Sequence, residues 1–151
     1  MKLEEIQREW SKDCNLDKTE LSSESLNIPV LHNKYLKILV PENLLLKKLK
    51  LHHQALERDK FEYYAGKMCE EDIEERGWEP FPHKLLKQDI PRYIAGDKEI
   101  IAALLKIAEQ EEKVDCIKEI LNKSINTRSF NIGNAIKWEQ FLNGINVAWL
   151  M

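Results

Sequence analysis

Basic and aromatic residues alternate over one stretch of the chain, and this combination can bind a polynucleotide. Arg58 and Lys60 stand just before the pair Tyr63 and Tyr64. Cationic side chains pair with phosphates, and aromatic rings accept stacked bases of any identity. The pattern is what binding of a single strand without sequence preference needs. On charge alone, however, an ordinary solvated helix face is favoured, and for the two tyrosines we favour a place in the core or an interface over base stacking.

The positive charge of the chain is concentrated around this stretch. The 151 residues include 23 basic and 26 acidic ones, and the formal charge of −3 excludes a globally cationic nucleic-acid binder. Residues 33–68 alone carry +4. This local charge is modest, but a weak site repeated over several subunits gains avidity without new contacts. The candidate phosphate-binding residues are Arg58, Lys60, Lys67 and Lys47. In a helix, one face is expected to hold Lys47, Gln54, Arg58 and Phe61, with Lys50 flanking it, and another to hold Lys60 and Lys67 beside Tyr63 and Tyr64.

Other chemistries find little support. The acidic run at residues 70–75 could suggest a metal-dependent nuclease, but it lacks the donor spacing of a calcium loop, and a solvated linker face is favoured. There is no glycine-rich phosphate loop. Three widely spaced cysteines, no signal-peptide pattern and no long apolar run favour a cytoplasmic protein without disulfides or a membrane span. We expect no enzymatic activity, no cofactor and no metal.

Helical periodicity dominates the elements that must position these residues, so the predicted fold class is all-α. Apolar residues at positions 3, 6, 10 and 14 predict a short amphipathic helix. Asp17 and Glu20 have capping-box spacing and predict a second helix towards Leu39, which Pro29 kinks or restarts. A long third helix is predicted to open at Pro41 and to end at Gly66. A long helix with one apolar seam usually finds a partner helix.

The second half of the chain is predicted to hold a connector and two further helices. Residues 69–96 contain five of the ten Gly and Pro and predict an irregular connector. Asp97 is predicted to begin a helix whose apolar seam is broken at 124–129, and a final helix at about 131–143 is predicted to end at Gly144. The chain then consists of an N-terminal helical nucleic-acid-binding region (1–68), the connector and a C-terminal helical oligomerisation region (97–151). The apolar tail at its end should be buried, and a partner subunit is one place for it.

Five segments, in order along the chain, resemble one known family. They are Leu3-Glu4-Glu5-Ile6-Gln7, Glu62-Tyr63-Tyr64-Ala65-Gly66, Ile90-Pro91-Arg92-Tyr93, Ile125-Asn126-Thr127-Arg128-Ser129-Phe130-Asn131-Ile132 and Trp138-Glu139-Gln140-Phe141. Together they cover nearly the whole chain and resemble the UvsY family of phage recombination mediators.

The resemblance implies a function without catalysis. Such a protein binds single-stranded DNA, counteracts the phage single-strand-binding protein and promotes loading of a UvsX-type recombinase in the infected host cell. It assembles into a homo-oligomeric ring or open barrel of six or seven subunits through its C-terminal part. For this chain the predicted oligomerisation residues are Ile136, Trp138, Phe141 and Trp149. A helical oligomeric scaffold or adaptor without DNA binding is the alternative.

The resemblance also assigns a DNA-binding motif. The best-known member of the family carries Lys-Ala-Arg-Leu just before its tyrosine pair, with the Lys and Arg implicated in DNA binding. The matching positions here are Arg58, Asp59, Lys60 and Phe61. Both cations are present with exchanged identities, and Asp59 adds an acid where the family has a neutral residue. Because Arg is a planar fork and Lys a point charge, the contact geometry need not carry over.

Overall fold

The computed structural model describes residues 1–144, which form helices and loops with no strand among them. The elements are α1 (Leu3–Asp13), α2 (Leu21–Leu26), α3 (Ile28–Tyr64), α4 (Glu70–Glu75), α5 (Ile90–Ala95), α6 (Lys98–Glu119), a π-helical segment (Ile120–Ile125) and α7 (Arg128–Leu142). The all-α prediction is confirmed for these residues. Within this part of the chain, no helix combines the length and the apolarity needed to cross a membrane.

The chain divides into two compact units whose boundaries differ from the three predicted segments. Unit 1 consists of Met1–Asn43 together with Glu112–Met151, and unit 2 is Leu44–Glu111. Both α3 and α6 therefore contribute residues to each unit. The three predicted regions were assigned by function and composition and stay predictions, since this division follows contacts within the chain.

Unit 1 is built on an aliphatic core to which α1, α3, α6 and the π-helical segment contribute. Its buried members are Ile6, Leu31, Tyr35, Ile117, Ile120, Leu121 and Ile125. The ring of Trp10 meets that of Tyr35 edge-on, with centroids 5.5 Å apart. The predicted apolar face of α1 holds from Leu3 to Trp10, but Cys14 is exposed and caps the helix.

The segment between α1 and α3 differs from its prediction. The side chain of Asp17 accepts hydrogen bonds from the backbone N–H and the hydroxyl of Thr19, so it forms a local turn. Glu20 occupies the N-cap of α2, which lacks a side-chain cap. The capping-box prediction was therefore wrong, because a short Asx turn satisfied the acid first. α2 also stops at Leu26, and a new helix begins at Ile28.

The long helix α3 begins earlier than predicted and ends where predicted. Pro41 lies inside the helix, so the predicted start there was wrong; Pro29 instead occupies its first turn, where a missing N–H costs nothing. At the other end Gly66 has φ +74°. The amide of Gly66 donates to Tyr63 O and that of Lys67 to Glu62 O, which together form a Schellman motif.

Unit 2 contains more helix than the predicted connector allowed for. Residues 69–96 include α4 and α5, each of six residues, with Gly77 (φ +72°) ending the first and Pro91 in the opening turn of the second. Asp97 caps α6 as predicted, since its Oδ1 accepts hydrogen bonds from the amides of Glu99 and Ile100. One small aliphatic core cluster of unit 2 contains Ile90, Ile94 and Ile100.

Candidate nucleic-acid interface

Lys60, one of the two cations of the predicted motif, lies inside unit 2. Only 5% of its side chain is exposed, and its Nζ is 3.0 Å from Asp97 Oδ2. Glu99 Oε1 lies 3.7 Å away, and the ring centroid of Trp78 lies 3.8 Å away. A buried ammonium needs such compensation, because its desolvation costs several kcal/mol. In this conformation the group has no open side on which a phosphate could bind.

The tyrosine pair closes the same cluster. The hydroxyl of Tyr64 donates to Asp97 Oδ2 at 2.6 Å, and that of Tyr63 donates to the backbone carbonyl of Glu79. Burial raises the pKa of both hydroxyls, so they remain protonated donors at neutral pH. Both rings contact Phe81 at centroid distances of 5.9 and 5.1 Å. The structure thus places the two rings among other side chains of their own unit.

Asp97 is the acceptor on which this cluster converges. Burial by itself would raise the pKa of its carboxyl, but hydrogen bonds from Tyr64 and Lys60 outweigh it, and the pKa is lowered from the ordinary 3.8. The carboxylate is therefore charged at neutral pH. It accepts at once from a tyrosine, a lysine and the first amides of α6, and so joins the end of α3 to the start of α6 within unit 2.

Arg58 points the other way. Its side chain is 76% exposed, and its Nη2 is 3.5 Å from Asp59 Oδ1. Asp59 is only 7% exposed, and its other oxygen accepts a hydrogen bond from Arg76. Arg58 thus presents most of its guanidinium to solvent, while the acid beside it is turned inwards and is already paired.

An open groove begins beside Arg58. It has a volume of about 530 Å³, and Gln54, Arg58 and Phe61 of α3 form one wall, while residues of α5 and α6, among them Ile94 and Leu104, form the rest. Lys47, Gln54, Arg58 and Phe61 were expected to share a helix face, and the last three of them line this groove.

The remaining predicted cations are exposed. Lys47 lies on α3 eleven residues before Arg58, about 16 Å away along the axis. Lys67 follows the end of the helix, where its backbone completes the Schellman motif. Lys50, which was predicted only to flank this face, is 3.2 Å from Glu111 in an ion pair. The structure therefore leaves Arg58, Lys47 and Lys67 at the surface and removes Lys60 from it.

The comparisons with known proteins agree on one family. The model of the family described as "Recombination, repair and ssDNA binding protein UvsY" matches residues 9–145. The chain belongs to the UvsY family. A search of curated proteins finds no match.

Two crystal structures of the bacteriophage T4 recombination mediator protein UvsY share the fold of this UvsY-family chain. The lattice type IV structure has a TM-score of 0.81 at 20% identity, over 93% of this chain and 99% of that one. The lattice type II structure has a TM-score of 0.80 at 21% identity, over 95% and 98% of the two chains.

The four positions of the predicted DNA-binding motif differ in their exposure. Arg58 is exposed, Asp59 and Lys60 are buried, and Phe61 is half-buried against the core of unit 2. Sequence reasoning placed Lys60 beside Tyr63 and Tyr64 on one helix face, which is the signal that could have revealed its burial. It missed Arg76, Trp78 and the pairing role of Asp97, because these partners lie 15 or more residues away from the residues of α3 that they contact.

The predicted oligomerisation residues that the structure describes are exposed. Trp138 is 60% and Phe141 71% accessible, and their rings stack with centroids 5.6 Å apart and an interplanar angle of 26°. Ile136, on the same helix, is also exposed. Trp149 lies outside the described residues. No three metal-ligating side chains are grouped within residues 1–144 so that they could hold an ion.

Proposed function

We propose that this UvsY-family protein is a recombination mediator that binds single-stranded DNA. The observation that carries the proposal is an exposed guanidinium, that of Arg58, at the cationic motif of α3. Family membership supports it, since the family is described as binding single-stranded DNA and acting in recombination and repair. The T4 relative with the same fold is itself titled a recombination mediator.

In this proposal Arg58, Lys47 and Lys67 bind phosphates, and Lys60 holds the end of α3 in place. An Arg fork can donate two parallel hydrogen bonds to one phosphate. Lys47 and Lys67 lie on either side of Arg58 along the chain and add single cationic contacts. Phosphate contacts of this kind carry no sequence information, which suits a protein that must act on any exposed strand.

In this proposal the protein works as a homo-oligomer of six or seven subunits in a ring or open barrel. The stacked pair Trp138 and Phe141 supports assembly, because adjacent exposed aromatic rings are typical of interfaces. Repeated sites then hold one strand by avidity. In this arrangement the strand is taken from the phage single-strand-binding protein and presented to a UvsX-type recombinase.

The DNA-binding proposal predicts a salt-dependent affinity that depends on Arg58. Binding of a fluorescein-labelled oligo-dT, followed by anisotropy, should weaken as salt rises, since each neutralised phosphate releases counterions. R58A should weaken binding about five- to tenfold per site and flatten the log–log salt dependence by about 0.7. R8A, which removes an exposed arginine of unit 1, is the matched control and should leave both unchanged. A wild-type protein that ignores oligo-dT at low salt would refute the proposal.

The molar mass of the protein in solution tests the proposed assembly. Light scattering with and without oligo-dT should give a multiple of the 17.8 kDa chain in both cases. The W138S/F141S variant should have a lower mass, because it removes the exposed stacked rings. An oligomer that binds no DNA would instead favour the scaffold or adaptor, the second candidate, which the same exposed rings support. A chain that stays monomeric at micromolar concentration would contradict both.

A further inference from the structure

The carboxylate of Asp59 lies between two guanidiniums. Its Oδ2 accepts a hydrogen bond from Arg76 Nη2, and its Oδ1 is 3.5 Å from Arg58 Nη2. Because the side chain of Asp59 is 10% exposed, water can compensate its charge only in part. A carboxylate in such surroundings requires a cationic partner.

The two arginines contribute unequally. Arg76 makes the direct hydrogen bond, and its guanidinium carbon lies 5.5 Å from the ring centroid of Trp78, which restricts it further. Arg58 is only near the carboxylate and remains 76% exposed. The acid is thus satisfied by the arginine that is distant in sequence, while its neighbour in sequence keeps most of its donors towards solvent.

We infer that Arg76 is a positioning residue for the binding of single-stranded DNA. Its hydrogen bond to Asp59 keeps the guanidinium of Arg58 available to phosphate. The inference rests on the proposed function. It explains how this chain tolerates an acid inside the cationic motif. When Arg76 is absent, Arg58 is the nearest cation to the carboxylate, and a phosphate must then compete with Asp59 for the same donors.

The test is a double-mutant cycle on oligo-dT affinity, measured by anisotropy at fixed salt. R76A should weaken binding about three- to tenfold, because Arg58 turns to Asp59. In the R58A background R76A should have no further effect, since the residue through which it acts is gone. R76K keeps a cation beside the carboxylate and should retain most of the wild-type affinity.

A second variant, D59N, removes the carboxylate that could compete with phosphate for Arg58. It should change binding far less than R76A does, because Arg76 already keeps the carboxylate from competing, and R76A should then have no effect in the D59N background. R92A is the matched control, because it removes another exposed arginine of unit 2 whose effect should be the same with and without Arg58. Thermal unfolding of each variant verifies that the fold is kept.

Two results would overturn the inference while leaving the proposed function intact. One is an R76A effect that persists at full size in the R58A background, which would mean that Arg76 touches the phosphate itself. The other is an R76A effect in the D59N background, where no acid remains for Arg76 to hold; this comparison decides the matter even if R76A alone does not fold. Failure of the wild type to bind oligo-dT at all is a different outcome and contradicts the proposed function.

Discussion

The two units contain the same three-residue arrangement, an aspartate that accepts from a lysine and a tyrosine. In unit 1, Asp13 Oδ2 is 2.5 Å from Lys34 Nζ and 2.9 Å from the Tyr35 hydroxyl. In unit 2, Asp97 Oδ2 is 3.0 Å from Lys60 Nζ and 2.6 Å from the Tyr64 hydroxyl. The chemistry is the same, but the surroundings are not.

The difference lies in how far water reaches each lysine. The side chain of Lys34 is 40% exposed and that of Lys60 is 5% exposed. Each lysine has a second acid, Glu9 at 3.0 Å from Lys34 and Glu99 at 3.7 Å from Lys60, and Lys60 also lies over the ring of Trp78. An exposed pair is worth little because water replaces either partner, whereas a buried ion left alone is expensive. Exposure, rather than the identity of the partners, therefore determines which lysine stabilises the fold.

The largest expected effect is a difference in the free energy of unfolding between variants of the two lysines. K60M removes the ammonium but keeps much of the side-chain volume, and it should lower the free energy of unfolding by about 3 kcal/mol, because Asp97 loses its buried cation. K34M should cost less than about 1 kcal/mol, since water screens that pair. Urea unfolding followed by circular dichroism, at equal protein concentrations, measures both. Equal losses would show that burial does not distinguish the two sites.

A smaller effect should appear in the pH dependence. In both aspartates burial opposes the shift, but hydrogen bonds to lysine and tyrosine outweigh it and lower the pKa below 3.8. A lowered folded-state pKa stabilises the protein above the unfolded value, and this stabilisation is lost as the pH falls towards the folded value. D97N should therefore cost about 2 kcal/mol at pH 7, and the gap to wild type should close between about pH 5 and pH 2.

The corresponding variant in unit 1 is D13N, and its loss of stability can be compared directly with that of D97N. Asn can still accept a hydrogen bond from tyrosine at either position, so both variants remove charge more than they remove contacts. The gap for D13N at pH 7 should be at most about half of that for D97N, because its lysine is the more exposed one. Urea midpoints taken across the pH range measure both gaps. A D97N gap that stays constant with pH would contradict the assigned role of the charge.

Much of the fold could be predicted because local signals control helix ends. Asp97 as the cap of α6 and Gly66 as the end of α3 both depend on residues within a few positions. Pro41 was misread for the same reason: the signal of a first-turn proline is local, and it does not reveal that the helix has already run from Ile28. Composition likewise predicted an irregular connector, although six residues suffice for the short helices found there.

The candidate site could be predicted only in part. The cations near Tyr63 were found by type and spacing, but which of them faces solvent depends on tertiary partners. Trp78 lies 18 residues after Lys60 in the sequence and Asp97 37 residues after it, and no periodicity within α3 encodes either contact. The exposure of Arg58 and the burial of Lys60, two positions apart, are therefore information that only the folded chain supplies.

Two glycines of unit 2 have a left-handed backbone conformation, and this restricts which residues can replace them in evolution. Gly66 and Gly77 precede and follow α4, and nothing lies within 4 Å of where a Cβ would stand on either. Space is thus no obstacle to a larger residue; the obstacle is backbone conformation, which disfavours β-branched residues most and asparagine least. Among related phage sequences, asparagine is accordingly the replacement that selection would tolerate best at these two positions.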